Sequence, residues 1–214
     1  MRDTKRLVSY SYGMEVYLVR HGETAGNLAH RHQHPNTRLT ERGEAQAKEA
    51  AERLKAVSPT HLITSTNLRA VETAKFIADA TGLTPETYPS FEELRRPGTL
   101  YGARMFSFGT LVYMLRWYFL PHLKDGDESY QDFRERLKAA RLHLEHLPND
   151  SRVVVVSHSV FITLFAAHLC NERKLGPIGA FRYLLKILFI KNASITKLIY
   201  CKTDNQNVCA WYLV

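Results

Sequence analysis

Two histidines follow closely on apolar runs that are typical of buried strands. Val16–Val19 leads into Arg20 and His21, and Val153–Val156 is followed one residue later by His158. A guanidinium can hold phosphate oxygens in a bidentate fork while a neighbouring neutral imidazole attacks phosphorus. In open α/β sheets, ligands bind beyond the carboxyl ends of the strands, so we expect both histidines to face one ligand.

A second arginine lies near another predicted strand end. Arg69 follows the strand His61–Thr64 and stands near the start of the next predicted helix. A lone arginine in such a place is usually a solvated surface charge. Beside the two histidines it would instead supply a second planar guanidinium for phosphate oxygens.

Strands and helices alternate along most of the chain, which predicts an α/β fold with a three-layer α/β/α sandwich. The predicted strands are Glu15–Val19, His61–Thr64, Arg152–Ser157, Ile195–Tyr200 and Val208–Leu213, the last two joined around Asp204 and Asn205. Four helices are predicted. The first two begin at the N-caps Thr40 and Asn67, and Gly82 ends the second. The third carries the apolar stripe from Phe133 to Leu147, and the fourth spans Val160–Leu169.

The length of 214 residues suits one domain. We expect a flexible N-terminal extension over residues 1–13 and a single domain over 14–214, with a partly helical cap insertion at about 94–130. The apolar run Leu111–Leu120 lies in this insertion. Its side chains would pack on the core, form a wall of the substrate pocket or contact a second copy of the chain. The oligomeric state is therefore left open, and a dimer is one alternative.

The formal net charge of +8 favours anionic partners through electrostatic steering. Nucleic acid is not expected, because no long Lys/Arg run or nucleic-acid motif is present. No apolar segment is long and uncharged enough to span a membrane, and the N-terminus lacks a signal-peptide pattern. Three cysteines without metal-like spacing predict no structural disulfide and a cytoplasmic location.

Five short segments occur in an order that matches one known family. They are Leu18–Thr24 with Asn27, Leu39–Gly43, Ser65–Ala74, Val155–His158 and Asn192–Thr196. On these segments the chain resembles the histidine phosphatase superfamily, which has the phosphoglycerate-mutase-like fold. Each segment alone is a weak motif, but five in sequence make a chance match very improbable.

The resemblance implies roles for the residues at the strand ends. His21 would be the nucleophile that becomes phosphohistidine, while Arg20, Arg69 and a protonated His158 would hold the phosphate oxygens. Asn27 would contribute at the rim of the pocket.

Ser159 departs from the family pattern, in which glycine usually follows the second histidine. A side chain at this position would narrow the pocket or offer a hydroxyl to the substrate. It is therefore a candidate for substrate binding.

The family takes the proton for the leaving group from a carboxyl group that follows the second helix. Glu92 and Glu93 are both candidates, and Glu93 fits the apolar-x-Glu spacing and the Glu-x-Arg-Arg-Pro pattern of one bacterial subgroup. At least one of the two must be a solvated acid, and we favour Glu93 as the general acid.

His30, His32 and His34 lie close together and suggest a metal site. Their spacing in a loop with Pro35 lacks a further ligand, so we expect a polar loop at the pocket entrance and no metal. No cofactor is expected either.

The predicted function is a phosphatase that hydrolyses a small-molecule phosphomonoester through phosphohistidine at His21. The first alternative is a 2,3-bisphosphoglycerate-dependent phosphoglycerate mutase. Such mutases carry Glu-Arg-His-Tyr-Gly where this chain has Glu93–Pro97, and the chain is short, so the phosphatase is favoured. The second alternative is a non-catalytic phosphate-binding module, which the presence of His21, Arg69 and both acids disfavours.

Overall fold

A computed structural model describes residues 13–121, 123, 127–171, 173–187, 189–203 and 209–214. Its strands are β1 (Met14–Arg20), β2 (His61–Thr64), β3 (Glu86–Thr87), β4 (Arg152–Ser157), β5 (Ile195–Tyr200) and β6 (Trp211–Leu213). They form one sheet in the order β3-β2-β4-β1-β5-β6. Strands β1, β2, β3 and β4 run parallel to one another, whereas β5 is antiparallel to both β1 and β6.

Helices cover both faces of this sheet. They are α1 (Ala25–Leu28), α2 (Glu41–Lys55), α3 (Leu68–Thr81), α4 (Phe108–Phe119), α5 (Tyr130–Glu145), α6 (Ser159–His168) and α7 (Pro177–Ile187). Val153 and Val155 of β4 join one buried cluster with residues of α5 and α6, while Val154 and Val156 join another with residues of α2 and α3. This period-two alternation confirms the predicted three-layer sandwich.

The predicted helix boundaries are confirmed at Thr40 and Gly82. The Thr40 hydroxyl accepts a 3.0 Å hydrogen bond from the Gly43 N–H at the start of α2. Gly82 ends α3 at φ +76°, a conformation that glycine adopts without a Cβ clash. Asn67 occupies the N-cap position of α3, but its side chain does not cap; the Ser65 hydroxyl accepts its N–H instead, at 3.2 Å.

Three elements were not predicted: α1, β3 and α7. The predicted turn at Asp204 and Asn205, together with Val208, lies outside the described residues, as does the predicted N-terminal extension apart from Gly13. Among the described residues, no helix has the length and apolar character needed to cross a membrane.

The expectation that no disulfide forms is wrong for one pair of cysteines. Cys170 and Cys209 form a disulfide with their Cα atoms 5.3 Å apart, and Cys201 is free. The two residues are 39 positions apart, and the fold brings the end of α6 beside the start of β6. An odd number of cysteines therefore does not exclude a disulfide between two of them. The cysteine count also lends no support to a cytoplasmic location.

Candidate active site

The two strand-end histidines meet because their strands are neighbours in the sheet. β1 and β4 pair in parallel with Arg20 opposite Ser157, so the next residues leave the same edge of the sheet. The ring centroids of His21 and His158 are 5.1 Å apart, and both side chains are buried. The structure thus brings together the two residues that the sequence predicts to face one ligand.

The ring of His21 is held with one nitrogen directed at the site. Its Nδ1 lies 2.7 Å from the carbonyl oxygen of Gly22, and an N–H on Nδ1 can donate to that oxygen. This hydrogen bond leaves the lone pair on Nε2, which accepts a 3.2 Å hydrogen bond from Nε of Arg69. Burial lowers the pKa of His21 well below its ordinary value, and Arg69 and Arg20 lower it further. His21 is therefore neutral near pH 7, the form in which an imidazole is nucleophilic.

Two arginines lie near His21. Arg69, the second residue of α3, is buried, and desolvation lowers its pKa to about 10, so it stays charged at neutral pH. Arg20 is partly buried; its guanidinium donates to the carbonyl oxygen of Ile190, and its Nε has no partner among the described residues. Glu93 favours the charged form of both arginines.

The ring of His158 is held by a hydrogen bond with Ser65. Its Nε2 lies 2.6 Å from the Ser65 hydroxyl, and its buried Nδ1 has no partner among the described residues. Burial lowers the pKa of His158 well below its ordinary value, with further contributions from Arg69 and His21. The predicted protonated form therefore requires the negative charge of a bound phosphate.

The two candidate acids have different surroundings. Glu92 forms a 2.9 Å ion pair with Arg95 and accepts a hydrogen bond from the Thr66 hydroxyl. The carboxylate of Glu93 accepts hydrogen bonds from the N–H groups of Val160 and Phe161, at 3.4 and 3.2 Å, at the start of α6. Glu93 lines the same cavity as His21, whereas Glu92 is not among the residues that line it.

Asn27 and Ser159 also line this cavity. Asn27 lies in α1, where its side-chain oxygen accepts a 3.0 Å hydrogen bond from Asn192. Asn192 also donates to the carbonyl oxygen of His21 at 3.3 Å, so it links Asn27 to the segment that carries His21. Ser159 is the first residue of α6.

The three clustered histidines take separate positions. The buried His32 places Nε2 2.9 Å from the Thr110 hydroxyl of α4 and lines the cavity. The main-chain oxygen of His34 accepts a 3.3 Å hydrogen bond from Arg69, and the main-chain oxygen of His30 accepts from Met105. The loop thus joins Arg69 to α4 and the segment before it.

Sequence reasoning did not find two buried ionic residues that support the site, Glu128 and Arg136. Arg136 donates to the carbonyl oxygens of Glu92 and Glu93 at 2.7 and 3.2 Å. Arg136 lies in α5 and Glu128 just before it, far from Glu93 in sequence. The signal for Arg136 is its i, i+3 position after Phe133 on a helix whose apolar stripe faces the core, where a charge needs a partner.

The assembled site is the positively charged part of a cavity, with a neutral imidazole and a carboxyl group. Arg20, His21, Arg69 and Glu93 line it together. Such an arrangement can bind a phosphoryl group through the guanidinium groups, attack phosphorus from Nε2 of His21, and supply a proton from Glu93.

Comparison with known proteins places the chain in one family. A model of the histidine phosphatase superfamily (branch 1) matches residues 16–211. A probable phosphoglycerate mutase GpmB from Enterobacter sp. (strain 638) is 32% identical over 192 residues, covering 87% of this chain and 85% of the relative. The Proteus mirabilis GpmB gives the same identity and coverage.

Solved structures share the fold over nearly the whole length. A mycobacterial glucosyl-3-phosphoglycerate phosphatase complexed with VO3 superposes with a TM-score of 0.69 at 27% identity, covering 93% of this chain and 96% of that one. A putative alpha-ribazole-5'-P phosphatase from Escherichia coli gives a TM-score of 0.73 at 21% identity, covering 94% and 95%. Since the family model spans most of the chain, the protein belongs to the histidine phosphatase superfamily, branch 1.

Proposed function

We propose that the protein is a phosphatase that hydrolyses a phosphomonoester through a phosphohistidine on His21. The observation that carries this proposal is that Nε2 of His21 shares one cavity with two arginines and the carboxyl group of Glu93. These groups provide the nucleophile, the charge stabilisation and the proton donor that the reaction needs.

In the first step, the lone pair on Nε2 of His21 attacks phosphorus and an N–P bond forms. The bond from phosphorus to the ester oxygen breaks, and the leaving oxygen takes a proton from the carboxyl group of Glu93. Arg20 and Arg69 hold the phosphoryl oxygens as their charge shifts. The bound dianion favours protonation of His158, whose unpartnered Nδ1 would then donate to it.

In the second step, water attacks the phosphohistidine. The carboxylate of Glu93, now deprotonated, accepts a proton from this water as the N–P bond breaks. The electron pair returns to Nε2 of His21, and inorganic phosphate leaves. Atoms and protons balance, and the reaction needs neither a cofactor nor a metal.

A phosphoglycerate mutase is the second candidate, because the GpmB relatives carry the name probable phosphoglycerate mutase. A mutase must hold a multiply charged sugar acid until the phosphoryl group returns to it. Apart from Arg20 and Arg69 at the phosphate end of the cavity, Arg96 is the one other arginine among the described residues that line it. Most of the remaining wall is apolar. A carboxylate placed beyond the reach of Arg96 would be unpaired against apolar groups, which is unfavourable, so we favour hydrolysis of a less charged substrate.

The test compares native protein with His21→Ala on p-nitrophenyl phosphate and 3-phosphoglycerate. The native protein should form an acid-labile phosphoenzyme and release inorganic phosphate, and His21→Ala should do neither. His61→Ala is the matched control, because His61 lies at the start of β2, at the opposite edge of the sheet, and should keep both activities.

Two results would contradict the proposal. Turnover that persists in His21→Ala would exclude the phosphohistidine route. Conversion of 3-phosphoglycerate to 2-phosphoglycerate faster than phosphate release, followed by phosphorus NMR, would establish the mutase instead.

A further inference from the structure

The cavity that contains His21 is much larger than a phosphoryl group requires. Its volume is about 670 Å³, and it extends from the phosphate end to α4 and α7. Pockets of ~300–1,000 Å³ typically enclose most of a drug-sized ligand. The remaining space must therefore accommodate the leaving group of the substrate.

The walls of this remaining space are predominantly apolar. The cavity is lined by Met114 and Leu115 from α4, Val160 and Leu164 from α6, and Phe181 and Leu185 from α7. Leu115 and Phe181 are 50% and 59% exposed, although both are large apolar side chains. An apolar ligand between α4 and α7 would remove this surface from water, which is favourable.

Three hydroxyl groups in this part of the wall already have partners within the protein. The Thr110 hydroxyl is bonded to His32, the Tyr118 hydroxyl donates to the carbonyl oxygen of Leu175 at 2.7 Å, and the Tyr130 hydroxyl lies 2.8 Å from Nε2 of His168. A leaving group with many hydroxyls would find few free partners and would lose its hydration. Among the described residues of the wall, the indole Nε1 of Trp117 is a buried donor without a partner.

We infer that the substrate is a phosphomonoester of a long apolar alcohol. This inference rests on the proposed function and names its substrate class. The phosphoryl group binds at His21, Arg20 and Arg69, and the hydrocarbon chain lies between α4 and α7. The alcohol leaves with the proton from Glu93, and its chain vacates the apolar part of the cavity.

A homologous series tests the inference. Ethyl, butyl, hexyl, octyl and decyl phosphate are compared at concentrations below micelle formation. We expect kcat/KM to rise about threefold to fourfold for each methylene group that becomes buried, and to level off when the cavity is filled. Alkylphosphonates of the same lengths cannot be hydrolysed, and their dissociation constants, measured by calorimetry, should fall in parallel.

Charged substitutions on α4 and α7 locate the chain. Leu115→Asp and Phe181→Asp place a carboxylate in the cavity and should lower the ratio of kcat/KM for octyl phosphate to that for ethyl phosphate by at least tenfold, on the order of two buried methylene groups. Val112→Asp and Ile178→Asp are matched controls. Val112 and Ile178 are exposed apolar residues of the same helices, 38% and 79% exposed, that do not line the cavity.

The outcomes separate this inference from the proposed function. A kcat/KM that is independent of chain length, with phosphoenzyme still formed on His21, overturns the substrate class but leaves the phosphatase intact. Absence of phosphoenzyme with every substrate overturns the proposed function, and the phosphonate series then decides the apolar site alone. A dimer in sedimentation that Leu115→Asp dissociates, without any chain-length effect, would show that a second copy covers these helices.

Discussion

Arg136 of α5 forms a two-pronged ion pair with Glu128, with Nε and Nη2 of Arg136 at 2.6 and 2.7 Å from the two carboxylate oxygens. Both side chains are more than nine-tenths buried. Arg136 also donates to the carbonyl oxygens of Glu92 and Glu93, and Glu128 accepts the N–H of Arg95. The pair therefore holds the backbone on both sides of Glu93 and fixes where its carboxyl group points.

Breaking this pair should weaken both folding and catalysis. We expect Arg136→Met to lower the free energy of unfolding by about 3–5 kcal/mol, because Glu128 is left charged, buried and unpaired. Urea denaturation measures this loss. Arg136→Lys keeps the charge but loses the planar fork, so it should recover stability more than activity.

A purely structural role for the pair makes a different prediction. If Arg136 positions Glu93, its variants should slow alkyl phosphates more than p-nitrophenyl phosphate, whose leaving group needs little protonation. Equal losses on the two substrates, in proportion to the loss of folded protein, would show that Arg136 has no positioning role.

The assignment of the general acid is tested by replacing Glu93 and Glu92 with glutamine, one at a time. Glu93→Gln should reduce phosphoenzyme formation from alkyl phosphates by roughly 10²–10⁴-fold, since the leaving alkoxide receives no proton. Formation from p-nitrophenyl phosphate should fall less. Single-turnover measurements isolate this step from the later hydrolysis, in which Glu93 also acts.

Glu92→Gln is the matched control for this experiment. Glu92 is paired with Arg95 and is not among the residues that line the cavity, so its variant should form phosphoenzyme at the native rate. If Glu92→Gln rather than Glu93→Gln loses the alkyl phosphate reaction, the two roles are reversed.

The parts of the site that the sequence predicts are those controlled by local pattern. The run Val153–Val156 specifies a central strand, and the residue that follows such a strand emerges at its carboxyl end wherever the strand lies in the sheet. His21 and His158 therefore meet once β1 and β4 are neighbours. Arg69 joins them because α3 begins immediately after β2, which is on the other side of β4.

The parts that sequence reasoning missed depend on contacts between distant segments. Glu128 and Arg136 act on a loop more than 30 residues away, and no local pattern encodes that contact. The helix α7 was missed because Gly176, Pro177 and Gly179 at its start are residues that more often mark a turn. Its apolar residues Phe181 and Leu185 remain exposed along the cavity. The disulfide likewise depends on the docking of α6 beside β6.

Two glycines allow the loop after β1 to approach α2. A Cβ on Gly22 would overlap with the carbonyl oxygen of Gly43, and a Cβ on Gly43 would overlap with the carbonyl oxygen of Glu23. We expect Gly43→Ala to push this loop, and His21 with it, away from α2. The variant should lose about 1–3 kcal/mol of unfolding free energy and most of its phosphoenzyme formation.

Gly98→Ala provides the control for this steric argument. A Cβ on Gly98 has no atom within 4 Å, and its φ is not in the left-handed region. Its thermal midpoint and phosphoenzyme yield should match the native protein. If Gly43→Ala also matches the native protein, the close approach of this loop to α2 is not required.

The burial of His32 should make the stability of the protein depend on pH. Burial, with a contribution from Arg96, lowers the pKa of His32 from 6.5 to about 4. Between these pH values His32 binds a proton in the unfolded chain but not in the folded one. Its contribution to the free energy of unfolding is therefore fully present above pH 6.5 and is lost as the pH is lowered towards 4. Below pH 4 both states are protonated, and this contribution changes no further.

Replacing His32 with asparagine removes this titration. His32→Asn should be less stable than the native protein at pH 7, because its bond to Thr110 is altered, but its stability should fall less steeply between pH 6.5 and 4. Urea midpoints at several pH values measure the slope, and His146→Asn, at the exposed end of α5, is the control. The urea midpoint of His146→Asn should depend on pH as steeply as that of the native protein. If His32→Asn also shows the native pH dependence, His32 titrates alike in the folded and unfolded states and the prediction is wrong.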